Sequence, residues 1–227
     1  MTVAPDAAAA ARQAAAWIAA LCEAAVRERG RALLAVSGGT TPWRMLSELA
    51  ALPLRWESIF VAQVDERVAP PDDPRRNLSR IERILVHEGP LPAGQLLAMP
   101  VEAPDLESAA RSYQSTLESV AGVPVVLDLV QLGLGADGHT ASLLPGDPVL
   151  EVRDRDVAIT APYQGLRRMT LTVPALARAR ERLWLVTGAG KSEVLRSLLR
   201  GTGDLPALRL PTHRATLYAD LEAAGER

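Results

Sequence analysis

The sequence predicts an α/β protein, a three-layer α/β/α sandwich around a mostly parallel, Rossmann-like sheet. Three observations point there. Short apolar runs of strand length alternate with longer stretches of helical spacing along the whole chain. Four of the apolar runs are followed at once by segments rich in glycine, hydroxyls and charge, as in an open parallel sheet whose loops gather at one edge. The 227 residues, 48% hydrophobic and 23% charged, are enough for a full core without staples, and the single Cys22 permits no internal disulfide. No repeat, low-complexity linker or composition break divides the chain, so residues 1–227 read as one domain.

Ala7 to Arg29 is the first helix: Trp17, Ile18, Leu21, Cys22, Ala25 and Val26 recur at helical spacing, and Gly30 is a natural stop. Arg31–Val36 is a buried strand. Ser37–Pro42 is a turn, with Pro42 suited to the first position of a helix that runs to about Leu52. Ile59–Val64 is a second strand ending in Asp65-Glu66-Arg67, and Pro70–Pro74 is a loop. Asn77 to about Val86 is a helix with Ile81, Ile84 and Leu85 turned inward. Leu96–Met99 is a short strand, and Asp105 caps a helix reaching Val120, closed by Gly122. Val125–Gln131 is a strongly apolar strand leading into a glycine-rich loop, Gly133–Gly146. Strands are expected at Val157–Ala161, Met169–Val173 and Leu183–Thr187, a helix from Gly190 to about Arg200, and a strand and helix within Arg214–Ala224.

Composition excludes several classes of function. Net charge is −2 with pI near 6.0, so no global basic field draws nucleic acid or an anionic membrane. No apolar run approaches the ~18 residues of a membrane span. Met1–Asp6 lacks the basic n-region of a secretory leader, and a lone thiol suits a reducing compartment, so a cytoplasmic location is expected. Either a monomer or a small homo-oligomer is compatible with the sequence. Lys191 is the one lysine among 25 basic residues, the rest being arginine, and its compact ammonium does what a planar guanidinium does not.

The four post-strand segments are Ser37–Thr41, Asp65–Arg67, Gly133–His139 and Gly188–Lys191. In Ser37-Gly38-Gly39-Thr40-Thr41-Pro42, two glycines admit a close backbone approach and the helix start offers free N–H groups. Hydroxyls of Ser37, Thr40 and Thr41 add donors. These are the parts a phosphate dianion needs; the same residues also make a tight turn with Thr41 as N-cap. Gly188-Ala189-Gly190-Lys191-Ser192 imitates the end of a nucleotide P-loop, but the first glycine of that motif would fall on Leu185. What remains is a glycine turn, a helix start and Lys191, a second ligand for an anion. Gly133–Gly138 matches G-x-G-x-x-G, yet Asp137 would repel a pyrophosphate inside the loop, and the acids some twenty residues on, Asp154 and Asp156, begin a strand rather than end one. Asp137 and His139 therefore read as a catalytic pair: an imidazole that takes a proton near neutral pH, oriented by a carboxylate. Asp65 is a candidate acceptor for hydroxyls and Arg67 a candidate anion holder. One of Arg167 and Arg168 faces the same edge, because alternation forbids both. His87 reads as a helix-end cap and His213 has no assigned role. There is no G-x-S-x-G elbow and no metal-ligand spacing.

At these residues the chain resembles the 6-phosphogluconolactonase family. The strings are Ser-Gly-Gly-Thr-Thr-Pro (37–42), Asp-Glu-Arg-Val-Ala-Pro (65–70), Gly-Leu-Gly-Ala-Asp-Gly-His-Thr-Ala-Ser-Leu-Leu-Pro-Gly (133–146), Arg-Arg-Met-Thr-Leu-Thr (167–172) and Thr-Gly-Ala-Gly-Lys (187–191). The resemblance implies a metal-free hydrolase without cofactor, acting in the pentose phosphate pathway on a small phosphorylated sugar lactone. It also implies a fold shared with glucosamine-6-phosphate deaminases and ribose-5-phosphate isomerases. His139 would be the base that activates water, supported by Asp137. Gly38, Gly39, Thr40 and Lys191 would lie near the phosphate, with Asp65, Arg67 and Arg168 along the sugar or carbonyl end. Where the family often reads His-Pro-Asp-Ser-Asn-Tyr, this chain has Asp73-Pro74-Arg75-Arg76-Asn77-Leu78, so Asn77 is kept while Asp73 and Leu78 differ. In the deaminases the string after the histidine resembles His-Ile-Ala-Phe-Asn-Glu-Pro-Gly; Leu144 stands at the Glu position, which favours ester hydrolysis over amine loss. A non-catalytic sugar-phosphate sensor is the other reading, though no helix-turn-helix precedes residue 30.

Overall fold

The computed structural model describes residues 1–225. The first half of the chain forms β1 (Thr2–Ala4), α1 (Ala7–Arg29), β2 (Ala32–Val36), α2 (Thr40–Ala50), β3 (Ile59–Gln63), β4 (Asp65–Arg67), α3 (Leu78–Ile81), β5 (Leu96–Leu97) and α4 (Leu106–Ala121). The second half forms β6 (Leu129–Leu132), β7 (Val157–Ile159), β8 (Arg168–Leu171), α5 (Val173–Ala177), β9 (Glu181–Val186), α6 (Ser192–Arg200), β10 (Ala215–Asp220) and α7 (Leu221–Ala224). Seven strands make one parallel sheet in the order β1-β10-β9-β6-β2-β3-β5, and β4-β8-β7 make a separate antiparallel sheet.

The parallel sheet is covered on both faces, which is why its strands are continuous apolar runs rather than alternating ones. In β2, Ala32, Leu34 and Val36 join the core beneath α1 and α2, while Leu33 and Ala35 join the core beneath α4 and the antiparallel sheet. The α1 helix presents Ala10, Ala11, Ala14 and Ala15 to the sheet, all buried, and small side chains let it approach closely. Asp6 accepts the Ala9 N–H at its start, and Gly30, with φ 77, closes it through a hydrogen bond to the Val26 carbonyl. Each large aliphatic side chain buried here contributes about 1.5–3 kcal/mol. Among the described residues no helix is long and apolar enough to cross a membrane.

Four expectations need correction. The strands near 157–161 and 169–173 are not in the parallel sheet. The segment joining β7 to β8 is a hairpin, turned through Gln164 (φ 51) and Gly165 (φ 79), too short for the crossover that parallel pairing needs. Asp65–Arg67 is a strand rather than a loop: Val64 still donates to the Val36 carbonyl, and at Asp65 the chain leaves the parallel sheet to pair with β8. The helix after Asn77 is α-helical for one turn and continues as a π-helical turn over Glu82–His87. Regular pairing of the apolar run from Val125 begins only at Leu129. The edge strand β1 was not foreseen, being too short to show a pattern. Parallel pairing puts the carboxyl ends of β2, β3, β6 and β9 on one edge, as expected.

Candidate active site

A cleft of about 380 Å³ opens at that edge. Its lining includes Ser37, Gly38, Gly39, Thr40, Asp65, Arg67, His139, Arg168 and Lys191, so all the predicted binding residues and the predicted base meet there. Asp137 is outside the lining but bonded to His139.

The glycine turn follows β2. Gly39 has φ 136, a region closed to most side chains, and from it α2 starts without any side-chain cap, which leaves its first N–H groups for a ligand. Gly38 is required for a different reason: a Cβ there would collide with the side-chain amide of Asn77. The three hydroxyls expected as donors are used differently. Ser37 donates its hydroxyl to the Gln131 carbonyl and its N–H to Gln131 Oε1, both at 3.1 Å, so it shapes the turn rather than offering a donor. Thr41 Oγ1 lies 2.5 Å from Thr187 Oγ1, which ties the turn to the end of β9 instead of capping α2. Thr40 is exposed at the cleft.

The β9 loop brings Lys191 in. Lys191 ends a 3-10 turn, Ala189–Lys191, just before α6, not within the first turn of that helix as expected. The turn is anchored by Asp220, whose carboxylate accepts the Gly188 N–H at 3.0 Å and also caps α7. No carboxylate pairs with Lys191 among the described residues, leaving a half-buried ammonium for the cleft.

The antiparallel sheet forms another wall. In its register Asp65 opposes Thr170 and Arg67 opposes Arg168. Alternation then sends Glu66 and Met169 to the other face, which settles which arginine faces the site: Arg168, 7% exposed, lines the cleft, while Arg167 is exposed and bonds the Thr160 carbonyl. Like charges directly opposite are destabilising in a sheet. Burial, then the nearby Arg67 charge, push the Arg168 guanidinium below its ordinary value, partly offset by Asp65, Tyr163 and Asp137. The Nε groups of both arginines are buried without a hydrogen-bond partner. Two cations facing one another with unused donors make a place for an anion.

Asn77, which sequence reasoning had noted but not placed in the site, completes this wall. It donates to the Asp65 carbonyl at 3.0 Å and accepts from Arg67 Nη1 at 3.3 Å. Glu66, fully buried, accepts the N–H groups of Asn77 and Leu78 and so folds the 67–78 loop back onto the cleft. The signal for it in the sequence was its place in the Asp73–Leu78 string, where it is the residue that the resemblance keeps.

The histidine loop leaves β6. Gly135 donates its N–H to the His139 carbonyl at 2.8 Å, and Gly138, with φ 81, closes a tight turn. Inside the turn Asp137 Oδ1 accepts the His139 N–H at 3.2 Å and lies 2.5 Å from His139 Nδ1. This network assigns the ring proton to Nδ1 and leaves Nε2 as the free acceptor at the cleft. Partial burial raises the Asp137 carboxyl, but the His139 N–H and ring outweigh it, so the net direction is below the ordinary 3.8. A lowered carboxylate stabilises the fold above its unfolded value and loses that contribution as pH falls through the folded one. The Tm advantage of the wild type over Asp137→Asn should therefore be present above the ordinary 3.8 and shrink as pH falls below it, measured by thermal melts from about pH 5 downward. A difference unchanged down to pH 2 would mean that the carboxylate holds nothing.

Among the described residues no three His, Cys, Asp or Glu side chains gather as metal ligands. The free thiol, Cys22, lies on the buried face of α1, and burial first, then the charges of Asp128 and Glu23, push it up to about 12. It does not line the cleft.

Known proteins resemble this chain over most of its length. The sequence profile described as glucosamine-6-phosphate isomerases/6-phosphogluconolactonase matches residues 5–218. The 6-phosphogluconolactonase of Synechocystis is 37% identical over 79% of this chain and 76% of its own length. The one from Mycobacterium tuberculosis is 35% identical over 89% and 88%. The solved 6-phosphogluconolactonase of Trypanosoma brucei superposes with a TM-score of 0.86 at 25% identity, over 99% of this chain and 97% of that one. A profile match over residues 5–218 and relatives at 35% and 37% identity over most of the chain lead to one conclusion: the chain belongs to the glucosamine-6-phosphate isomerase/6-phosphogluconolactonase family.

Proposed function

We propose that the chain, working as one domain, hydrolyses 6-phospho-D-glucono-1,5-lactone to 6-phospho-D-gluconate in the oxidative pentose phosphate pathway, with His139 as general base and no metal. The observation that carries this reading is the Asp137–His139 pair opening onto the same cleft as the uncapped start of α2 and Lys191. The phosphate docks on the Gly38-Gly39-Thr40 turn and Lys191. The C1 carbonyl then lies toward His139, between Arg67 and Arg168. His139 Nε2 takes a proton from water as the oxygen attacks C1, and Asp137 stabilises the imidazolium. Arg67 and Arg168 stabilise the oxyanion. The C1–ring oxygen bond breaks, and the ring oxygen leaves as the C5 hydroxyl with the proton from the imidazolium. The carboxylic acid formed gives its remaining proton to solvent, so that the product stays as a carboxylate beside the two arginines until release. Asp65 accepts a sugar hydroxyl. Leu144, at the position where the deaminases carry a proton-transferring acid, is buried and apolar, which supports ester hydrolysis over amine loss.

The test is a coupled lactonase assay on the purified chain, with spontaneous opening subtracted. Turnover on the lactone, and no ammonia from glucosamine 6-phosphate, is the expected result; the reverse outcome, or tight binding without turnover, removes this reading. A second expectation concerns Lys191. Hydrogen bonds to charged groups are worth about 1.5–3 kcal/mol, so Lys191→Ala should raise KM by roughly 10- to 100-fold. Its rate on unphosphorylated gluconolactone should not change. An unaltered KM for the phosphorylated substrate would exclude Lys191 from phosphate recognition.

A further inference from the structure

The histidine loop and the antiparallel sheet meet at one buried hydroxyl. Ser142, three residues beyond His139, is fully buried. Its hydroxyl donates to Asp65 Oδ2 at 2.6 Å, its N–H donates to Thr170 Oγ1 at 3.2 Å, and its oxygen accepts from Arg168 Nη1 at 3.4 Å. Asp65 comes from β4, Arg168 and Thr170 from β8, and Asp65 and Thr170 are cross-strand partners. One serine thus holds both strands of the wall that carries the cleft's charges.

The chain between His139 and Ser142 explains why such a hold is needed. Ala141 has φ 51, a left-handed conformation that alanine seldom adopts, and it lines the cleft. Strain of this kind persists only where the surroundings fix both flanks. On one flank the Gly135 N–H holds the His139 carbonyl. On the other, Ser142 is held by three side chains.

We propose that Ser142 is a positioning residue that couples the His139 loop to Asp65 and Arg168. Its oxygen donates to a carboxylate and accepts from a guanidinium, so two opposite charges set its place. Without it, Asp65 Oδ2 loses a buried donor, and nothing separates Asp65 from Arg168. The two charges then close on each other and leave the positions in which they meet substrate, while the loop loses its downstream anchor. The inference rests on the lactonase reading, which it deepens by naming what keeps base and charges in one geometry.

The experiment is a double-mutant cycle with Ser142→Ala and Asp65→Ala, read as kcat and KM on the phosphorylated lactone and as the ring resonances of His139. With three histidines in the chain, those resonances are assignable by substitution. Displacing a catalytic group by about 1 Å costs up to ~10²-fold, so Ser142→Ala should lower kcat by about 10- to 100-fold and shift the His139 ring signals. KM should rise by less than kcat falls, because the phosphate contacts are elsewhere and only the Asp65 contact to a sugar hydroxyl is loosened. In the Asp65→Ala background the same substitution should have little further effect on kcat. Ser142→Cys, close in volume and still a weak donor, should fall between wild type and Ser142→Ala, and it serves for the cycle if the alanine variant does not fold. A purely structural serine would lower Tm equally in both backgrounds and leave kcat of the folded protein alone. That result, or additive losses in kcat, overturns the proposal. Should the wild type open the lactone no faster than buffer, the lactonase reading fails instead, and the His139 signals alone decide Ser142: moved, the coupling stands; unmoved, it falls.

Discussion

His139→Ala should lower kcat for the phosphorylated lactone by about 10²–10⁴-fold, the usual cost of removing a general base. The glycine turn, Lys191 and the two arginines do not depend on the imidazole, so 6-phosphogluconate should still bind with close to wild-type affinity. The ring is half-buried at the cleft rather than in either core, so the variant should fold and melt near the wild type. Because the lactone opens by itself, the residual rate must be compared with buffer at the same pH. The same chemistry predicts that a small exogenous base such as imidazole restores part of the lost rate. A variant with near-native turnover would take the proton-accepting role away from His139 and leave only the electrostatics of the cleft.

Gly135→Ala should lose nearly as much, although the substitution adds a single methyl group. A Cβ at Gly135 would collide with His139 Nδ1 and Cε1 and with Asp137 Oδ1, the atoms that make the dyad. The backbone at Gly135 is not in the left-handed region, so alanine is conformationally acceptable there and the harm comes only from the collision. The ring and carboxylate can move aside, which keeps the fold, but moving them breaks the 2.5 Å contact and turns the imidazole. A loss of kcat of roughly 10²-fold or more, with KM for the phosphorylated substrate little changed, is the expected split. Wild-type kcat in a folded Gly135→Ala protein would mean that the dyad geometry does not govern the rate. Gly138 is a different case: its φ of 81 and the approach of Leu205 make a side chain there a folding problem.

Both predictions come from a loop whose meaning was legible in one dimension. Asp137 and His139 are two residues apart, and a glycine turn between strand and loop suffices to bring them together. The same holds for the Ser37–Thr41 turn, where two glycines and a helix start lie in sequence order. What was not legible depended on partners far along the chain. The hydroxyl of Ser37 looked like a ligand donor, but Gln131, on a neighbouring strand, takes it. Asp65-Glu66-Arg67 was legible as a charged segment at the end of a strand, but not as a strand itself, because its partner, Arg168-Met169-Thr170, is remote in sequence. Ser142 went unnoticed beside the histidine because the carboxylate it holds is 77 residues away.

The amino-acid sequence by itself determined the alternation of strands and helices through most of the parallel sheet, the gathering of four post-strand segments at one sheet edge, and the acid–histidine pair within one of them. These follow from periodicity, glycine placement and short-range hydrogen bonding, which act within a few residues. Only the tertiary structure decided that Arg168 rather than Arg167 faces the cleft, that two arginines oppose each other there, and that Ser142 joins them to the histidine loop. In a strand, a shift of one residue in register reverses every side chain, and register is set by pairing with a distant segment that no local pattern reveals.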